Sequence, residues 1–550
     1  MPKKKKVALA TASVVLLTGV LSACGSSGNE GNNTTTPSES AKPTASAASN
    51  PMPIVKEGSV TLSIGVPDNP YAPKSYTQNL PVWAEIEKRT GVKIKWDVTP
   101  SAQYNQSMNI RMAAATELPD IFQLPSDPVT AAEDGLIIPL NDLIDKHAPN
   151  IKKYFETYPN IKKLLTAPDG KIYTLTNDVS GTGISDPFGW LIRKDWLDKL
   201  GLKEPTTLDE WYTVLKAFKE KDPNGNGKQD EIPLAPQYNW AGLSNFGKAM
   251  GLQLGNNYSD GWAVDSAGKV SYEWMNPKTK DLIVWLNKLY NEGIIDPEFV
   301  TKRTSTQIQP DIVKDLVGVT QGFVNNTAKF EAAQNKPGVK WEIVAPPANA
   351  GVKGYYEKYG PISGYYGISK TAKNPEIAIK WLDYVWASEE GARFTNYGIE
   401  GTSYTMVNGK PQFTDFVLNN PDKLAATDAL RSIGAFPSLP WIRDDKAVLS
   451  NQAIDLIKNQ PNLMAQVKKM EPYMKDPIPF RSMMATKEEA ENSKRLSTDI
   501  NTYLEETMLK FIMGKEPIDW DKFTKRMKEL KIDDIVAIKQ AQYDRYLKAK

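Results

Sequence analysis

"SVTLSIGVPDNPYAPKSYTQNLPVWAEIEKRTGVKIKWDV", residues 59–98, sets the fold class. "SVTLSIGVP" alternates and is rich in β-branched residues, which predicts a strand. "LPVWAEIEKRTG" follows, with Pro81 near a helix start and Gly91 past its end. "VKIKWDV" (92–98) reads as a second strand. Further on, "YNQSMNIRMAAATE" reads as a helix and "LPDIFQLP" (118–125) as a short third strand. Strand, helix, strand, helix, strand is the order of an α/β lobe with a largely parallel sheet.

Outward from this lobe, the middle of the chain is helical. "GWLIRKDWLDKLG" ends at Gly201, and "TTLDEWYTVLKAFKEK" opens with Thr207 and has Glu210 three residues on, a capping box. "KDLIVWLNKLYNEG" repeats the pattern. Short strands return at "DLVGVTQGF" (315–323) and "KWEIVAPP" (340–347), and 374–391 reads as one amphipathic helix. From about 485 the chain is nearly all helical. At 550 residues it is too long for a single core and predicts two to four domains.

The N-terminus has its own logic. "MPKKKK" is a positive leader, and about 14 apolar residues follow, about 21 Å as a helix. A bilayer core is about 30 Å, so residues 1–23 read as a signal peptide and not a span. "LSACGSSG" places small residues before Cys24 with Leu21 upstream, similar to a bacterial lipobox. There Cys24 would carry a diacylglyceryl group. It is the only cysteine, which excludes an internal disulfide or another thiolate catalyst. Residues 24–56 are dominated by Ser, Thr, Asn, Gly, Ala and Pro, the composition of a disordered tether. The net charge is +2, and four of the lysines sit at 3–6, so no basic excess remains to track nucleic acid.

"KDPNGNGKQDEIP" (221–233) packs oxygen donors between glycines. An EF-hand-type calcium loop uses positions 1, 3, 5, 7 and 9, Gly at 6 and a bidentate Glu at 12. Counted from Asp222, these are Asn224, Asn226, a backbone carbonyl of Lys228, and Asp230, with Gly227 at 6. Position 12 is Pro233, so Glu231 is the expected substitute. Hard oxygens in a flexible loop favour Ca²⁺. An Asn-Gly hairpin turn is the competing reading.

"TELPDIF", "RKDWLDKLGLKEPTTLDEW", "DPNGNGKQDEIP", "PEIAIKWLDYVWASEEG" and "GIEGTSYTMVNGKP", in this order behind a lipobox, resemble the family 1 extracellular solute-binding lipoproteins of ABC importers. They are most similar to the oligosaccharide-binding branch with the alginate-binding proteins and LipO-like lipoproteins of Gram-positive bacteria. The resemblance runs from about residue 58 to the end. It implies a two-lobe periplasmic-binding-protein-like fold (type II), with the ligand cleft between the lobes and a helix-rich C-terminal part. The expected lobes are 58–177 plus 311–362, and 178–310 plus 363–550 with a structural calcium loop at 222–231. The implied partners are a carbohydrate and the permease membrane subunits, for a monomer lipid-anchored on the outer face of the cell membrane.

Sugar clefts combine aromatic faces with Asp, Asn, Arg and Glu. The 14 Trp and 23 Tyr must therefore be sorted by position. Trp211, Trp285, Trp381 and Trp386 lie in amphipathic helices and read as core. Trp190, Trp240, Trp262 and Trp441 lie in loop-like sequence and are cleft candidates, with ordinary partial burial as the alternative. Ser126 and Asp127 follow a strand end, where α/β lobes expose ligand loops. Arg193, Asn325, Tyr365, Tyr366, Glu400 and Tyr404 complete the candidate ligand set; Arg193 could instead be a solvated helix charge. A secreted glycoside hydrolase with paired carboxylates is the alternative function. A peptide-binding or sensory protein would use the same fold. His147 is the only histidine, at a predicted helix end in "LIDKHAPN", and no G-x-S-x-G partner exists for a serine triad. No enzyme activity is expected.

Overall fold

The computed structural model describes residues 50–549 except 70, 126, 177–178, 181–185, 256–260, 302–303, 359, 361, 363 and 444–451. The signal peptide, Cys24, most of the tether and Ser126 lie outside the described residues.

The opening stretch folds as its pattern dictates. Strand β1 (Val60–Asp68) runs parallel to β2 (Val92–Pro100) in full register, from Val60 opposite Val92 to Asp68 opposite Pro100. It is also parallel to β3 (Ile121–Gln123). Leu62, Ile64 and Val66 point into the core with no exposed surface. Helix α1 (Pro81–Thr90) starts on its proline and buries Val82, Trp83 and Ile86. Gly91 ends it in the left-handed conformation, where a Cβ would lie 2.0 Å from the Val55 carbonyl. Helix α2 (Ser101–Ala114) covers the sheet with Tyr104, Met108 and Met112.

The first sheet is completed by strands from far along the chain. Its order is β2, β1, β3, then Tyr366–Ile368 and Thr174–Leu175, the last two antiparallel to their neighbours. The second sheet orders Trp341–Ile343, Phe188–Arg193, Val317–Phe323 and Ile232–Leu234. The molecule is thus an α/β protein of two lobes, each built on one sheet.

The strand pairing corrects the expected lobe boundaries. Val317–Phe323 pairs antiparallel with Phe188–Arg193, Val319 opposite Ile192, and Trp341–Ile343 pairs with the same strand. Segment 311–362 therefore contributes its strands to the second lobe, not the first. Conversely, Tyr366–Ile368 joins β3, so the chain beyond 363 re-enters the first lobe. The terminal helices return to the second lobe, where Asn287 donates to the carbonyls of Phe511 and Ile512 at 2.9 and 3.2 Å. Alternation identifies a strand but not its partner, because partner choice is a long-range contact.

Two smaller differences have local causes. The helix expected over 374–391 is three pieces: Pro375–Leu382, a π turn at Asp383–Ala387, and Glu389–Tyr397 capped by Ser388. The buried Asp383 carboxylate accepts from the Ile151 backbone at 2.8 Å and from Asn150 at 2.7 Å, tying the π turn to a neighbouring helix. The tether, expected to run to 56, is already docked at 50. Asn50 donates to the His147 carbonyl at 2.8 Å and to Asp383 at 3.3 Å. His147 itself ends the helix Asn141–His147, as its sequence position suggests.

Candidate functional site

The carboxyl ends of strands carry the loops that meet ligands in open α/β sheets. Tyr71 lies in the loop after β1 and is 65 % exposed; Tyr238 lies just past Ile232–Leu234 in the other lobe and is 40 % exposed. Burial pushes the Tyr238 phenol up, and the Tyr71 phenol adds to the push. Tyr238 is flanked by Phe188 at 6.2 Å, which meets Phe323 edge-on at 5.1 Å. On the first lobe the Arg431 guanidinium sits 6.0 Å from the Tyr71 ring and 4.9 Å from Phe436. Phe436 packs at 4.8 Å on Trp441, over which Arg443 lies at 5.2 Å.

The backbone beneath these rings is unusual. Tyr238 and Asn239 have φ of +61° and +50°, and Phe436 has +56°. Bulky residues rarely adopt this region, and where they do the strain collects at ligand clamps. Two aromatic residues held this way, one in each lobe, mark the space between Tyr71 and Tyr238 as the candidate ligand site.

Of the residues expected in the cleft, several prove to be framework. Trp190 is fully buried in the second lobe, stacked on Phe246 at 4.6 Å, because it sits in the middle of a strand covered on both faces. Arg193 is 1 % exposed and locked by carboxylates: its Nε and Nη2 donate to Asp195 at 2.8 and 2.6 Å, and Nη1 donates to Asp315. Tyr366 is buried, its hydroxyl donating to the Ser438 carbonyl at 2.5 Å. Tyr404 is buried against Tyr397 at 5.9 Å in the hairpin Tyr404–Phe413, with the exposed Glu400 beside it. Asp127 caps the helix Pro128–Glu133, accepting from the Val129 and Thr130 amides at 2.9 and 3.1 Å. Burial pushes the half-buried Tyr365 phenol up, with Asp127 adding to it. Trp240 packs edge-on against Trp274 at 4.7 Å, and Trp262 is buried against Tyr272 at 4.6 Å. Trp441 is buried but lies under Phe436, and Asn325 opens the helix Val324–Gln334. Tyr71, Tyr238, Phe188, Arg431 and Phe436 were not anticipated. The strand-end rule applied to Ser126 and Asp127 would have reached Tyr71 in "DNPYAP" and Tyr238 in "APQYNW".

The loop 222–231 has a defined shape. It leads from the helix Leu208–Glu220 into the strand Ile232–Leu234, so it does not join two hairpin strands. Asp222 folds it by accepting from the amides of Gly225, Asn226 and Gly227 at 2.9, 3.1 and 3.0 Å. Asn224 and Asn226 reach Asp230 at 3.4 and 2.9 Å. Gly227, at the position where a calcium loop turns sharply, has φ +77°. Glu231 is 8 % exposed, and neither carboxylate oxygen makes a well-formed hydrogen bond. Burial pushes that carboxyl up, against the backbone amides of Glu231 and Asn224, with Asp222 and Asp230 adding to the rise. A buried, unsatisfied, acceptor-only group is costly without a cation or a proton. Among the described residues no three His, Cys, Asp or Glu side chains converge as a ready cage; the donor set here mixes carboxylates with amide and carbonyl oxygens. The residues fit a hard cation.

The family model for bacterial extracellular solute-binding proteins matches residues 73–392. The chain belongs to that family. The solute-binding protein is 27 % identical over 507 residues to the fructooligosaccharide ABC transporter substrate-binding protein FusA of Streptococcus pneumoniae serotype 4, covering 88 % of this chain and 90 % of FusA. It is 27 % identical to lipoprotein LipO of Bacillus subtilis strain 168, covering 70 % of this chain and 76 % of LipO. The crystal structure of alginate-binding protein AlgQ2 without calcium ion superposes with a TM-score of 0.72 at 27 % identity, covering 89 % of this chain and 99 % of AlgQ2. An EF-hand mutant of FusA in complex with fructo-nystose superposes with a TM-score of 0.70 at 25 % identity, covering 89 % of this chain and all of that one.

One further acid lies two residues before Phe188 in the solute-binding protein. Asp186 stands at the start of Val324–Gln334, beside Asn325, and its Oδ1 is buried without a partner. Burial pushes its carboxyl up to about 7, against the Asn325 and Val324 amides, which favour the charged form. The folded protein therefore holds this proton between about pH 4 and 7 while the unfolded chain releases it. Stability contributed by the neutral form is present below pH 4 and is lost as pH rises through 7. Asp186→Asn is expected to stabilise the protein by about 1–3 kcal/mol at pH 8 and to leave it unchanged at pH 4. Thermal melts across that range check this; equal shifts at both ends would refute it.

Proposed function

We propose that the chain is a lipid-anchored receptor on the outer face of the cell membrane that captures a carbohydrate, most simply an oligosaccharide, and delivers it to an ABC permease. The observation that carries the reading is the pair Tyr71 and Tyr238, one ring from each lobe, flanked by Phe188, Phe323 and Phe436. Sugar rings present apolar CH faces to such aromatics. Closure around the ligand is a population shift driven by contacts made only when both rings engage. The likeness to FusA, a fructooligosaccharide ABC transporter substrate-binding protein, supports this reading, and the lipobox at Cys24 and the likeness to LipO support the anchor. The protein needs no covalent chemistry for this role.

The loop 222–231 is proposed to hold Ca²⁺ through side-chain oxygens of Asp222, Asn224, Asn226, Asp230 and Glu231 and the Lys228 carbonyl. A bound cation would satisfy the buried Glu231 and brace the entry to the edge strand Ile232–Leu234. It stands apart from the paired rings and serves stability.

The test is a thermal-shift screen in calcium buffer with fructan, pectic and host-type oligosaccharides, and short peptides as control. A ligand at 100 times its dissociation constant adds about 2.7 kcal/mol. A shift with one glycan class, the glycan being recovered uncleaved, is the expected result. A shift with peptides alone would discard the carbohydrate, and a cleaved glycan would favour a hydrolase. Tyr71→Ala and Tyr238→Ala are each expected to weaken the glycan by about 1 kcal/mol or more, while unchanged affinity in both would move the site elsewhere.

A further inference from the structure

A cavity of about 350 Å³ lies where the helix Pro159–Leu165 and turn 166–170 of the first lobe meet Met483, Met484 and the terminal helix Ile532–Lys548. None of the paired-ring residues lines it. Its floor is apolar: Leu164, Ala167, Met483 and Met484 are all buried. Its rim is cationic, with Lys163, Arg545 and Lys548, and among the described residues no Asp or Glu lines it. Arg545 is held from the side by Glu489 at 2.5 Å. Lys163 pairs with no carboxylate among the described residues; it sits 4.6 Å over the Tyr546 ring and donates to the Leu547 carbonyl at 3.5 Å.

We propose that this cavity is a second binding site, for an amphipathic anion: an acyl or aryl body on the methionine floor and a carboxylate head at the lysine rim. Three features carry the inference together. The volume falls within the range of small-molecule pockets, about 300–1,000 Å³. The methionines are the side chains that best adapt to an irregular apolar body. The rim supplies positive charge and the floor none, so an uncharged body gains the floor but not the head contact. Because Lys163 belongs to the first lobe and Arg545 and Lys548 to the terminal helix packed on the second, an occupant touches both.

Isothermal titration of the full chain carrying Cys24→Ser, which prevents acylation, tests the site with decanoate, 2-naphthoate and the uncharged decanol. The expected result is saturable one-to-one binding of at least one acid and no comparable binding of decanol. Tighter decanoate would assign an acyl body and tighter naphthoate an aryl one. Lys163→Glu/Lys548→Glu is expected to weaken the acid at least ten-fold, and Lys163→Gln/Lys548→Gln by less, with oligosaccharide binding unaltered. Absence of saturable binding by both acids, equal binding of decanol, or undiminished binding in the charge-reversed variant would overturn the proposal.

Discussion

Arg193→Met loses about 3–5 kcal/mol of folding stability. The guanidinium is buried and serves three elements at once. It ends the strand Phe188–Arg193, bridges to Asp195 in the next helix, and reaches Asp315 just before Val317–Phe323. It also lies 4.6 Å over the Trp196 ring and 5.8 Å from Trp341. Removing it strands two carboxylates; Lys336, 2.6 Å from Asp315, compensates for only one. Arg193→Lys recovers little, because an ammonium cannot donate in a fork to Asp195 and stack on Trp196 together. Urea unfolding measures the loss. Ligand affinity of the folded fraction stays the same, which separates this framework role from the cleft role that its sequence position suggested. A variant with normal stability and lost affinity would reverse that assignment.

If the loop 222–231 holds the proposed Ca²⁺, removing calcium is expected to lower the melting temperature, and Glu231→Gln is expected to abolish that response. At 100 times its dissociation constant a cation adds about 2.7 kcal/mol, about 5–10 °C for lobes of this size. Without the ion, Glu231→Gln is neutral or stabilising, because it removes the buried unpaired charge while keeping the shape. Asp222→Ala destabilises with or without calcium, since Asp222 also holds the amides of Gly225, Asn226 and Gly227. Melts with calcium and with chelator distinguish the two variants. An equal calcium response in wild type and Glu231→Gln would remove Glu231 from the site.

How much of this was legible before the structure depends on the range of the interaction concerned. Local signals were sufficient for β1, α1 and β2: alternation, a proline at a helix start and a glycine at its end act within a few residues. Thr207 and Glu210 form the expected capping box for the same reason. The loop 222–231 was legible because its donors follow one another in the chain. Lobe membership was not, because whether Val317–Phe323 pairs with Phe188 or with β3 is decided between residues more than a hundred positions apart. The cleft suffered likewise. "FGWLIRKDW" contains the right kinds of side chain for a sugar site, yet the strand's burial on both faces turned Trp190 and Arg193 inward. The residues that do face the other lobe, Tyr71 and Tyr238, sit in loops with no periodicity to draw attention to them.

The left-handed backbone at Tyr238, Asn239 and Phe436 has a consequence for how capture proceeds in time. Fixing a flexible side chain on binding costs about 0.5–1.5 kcal/mol. Here the framework has already imposed that order during folding, so an arriving sugar meets two rings held in position. Preorganisation of this kind raises affinity through slower escape rather than faster encounter. For a receptor of the proposed kind, release is then expected to be slower than capture.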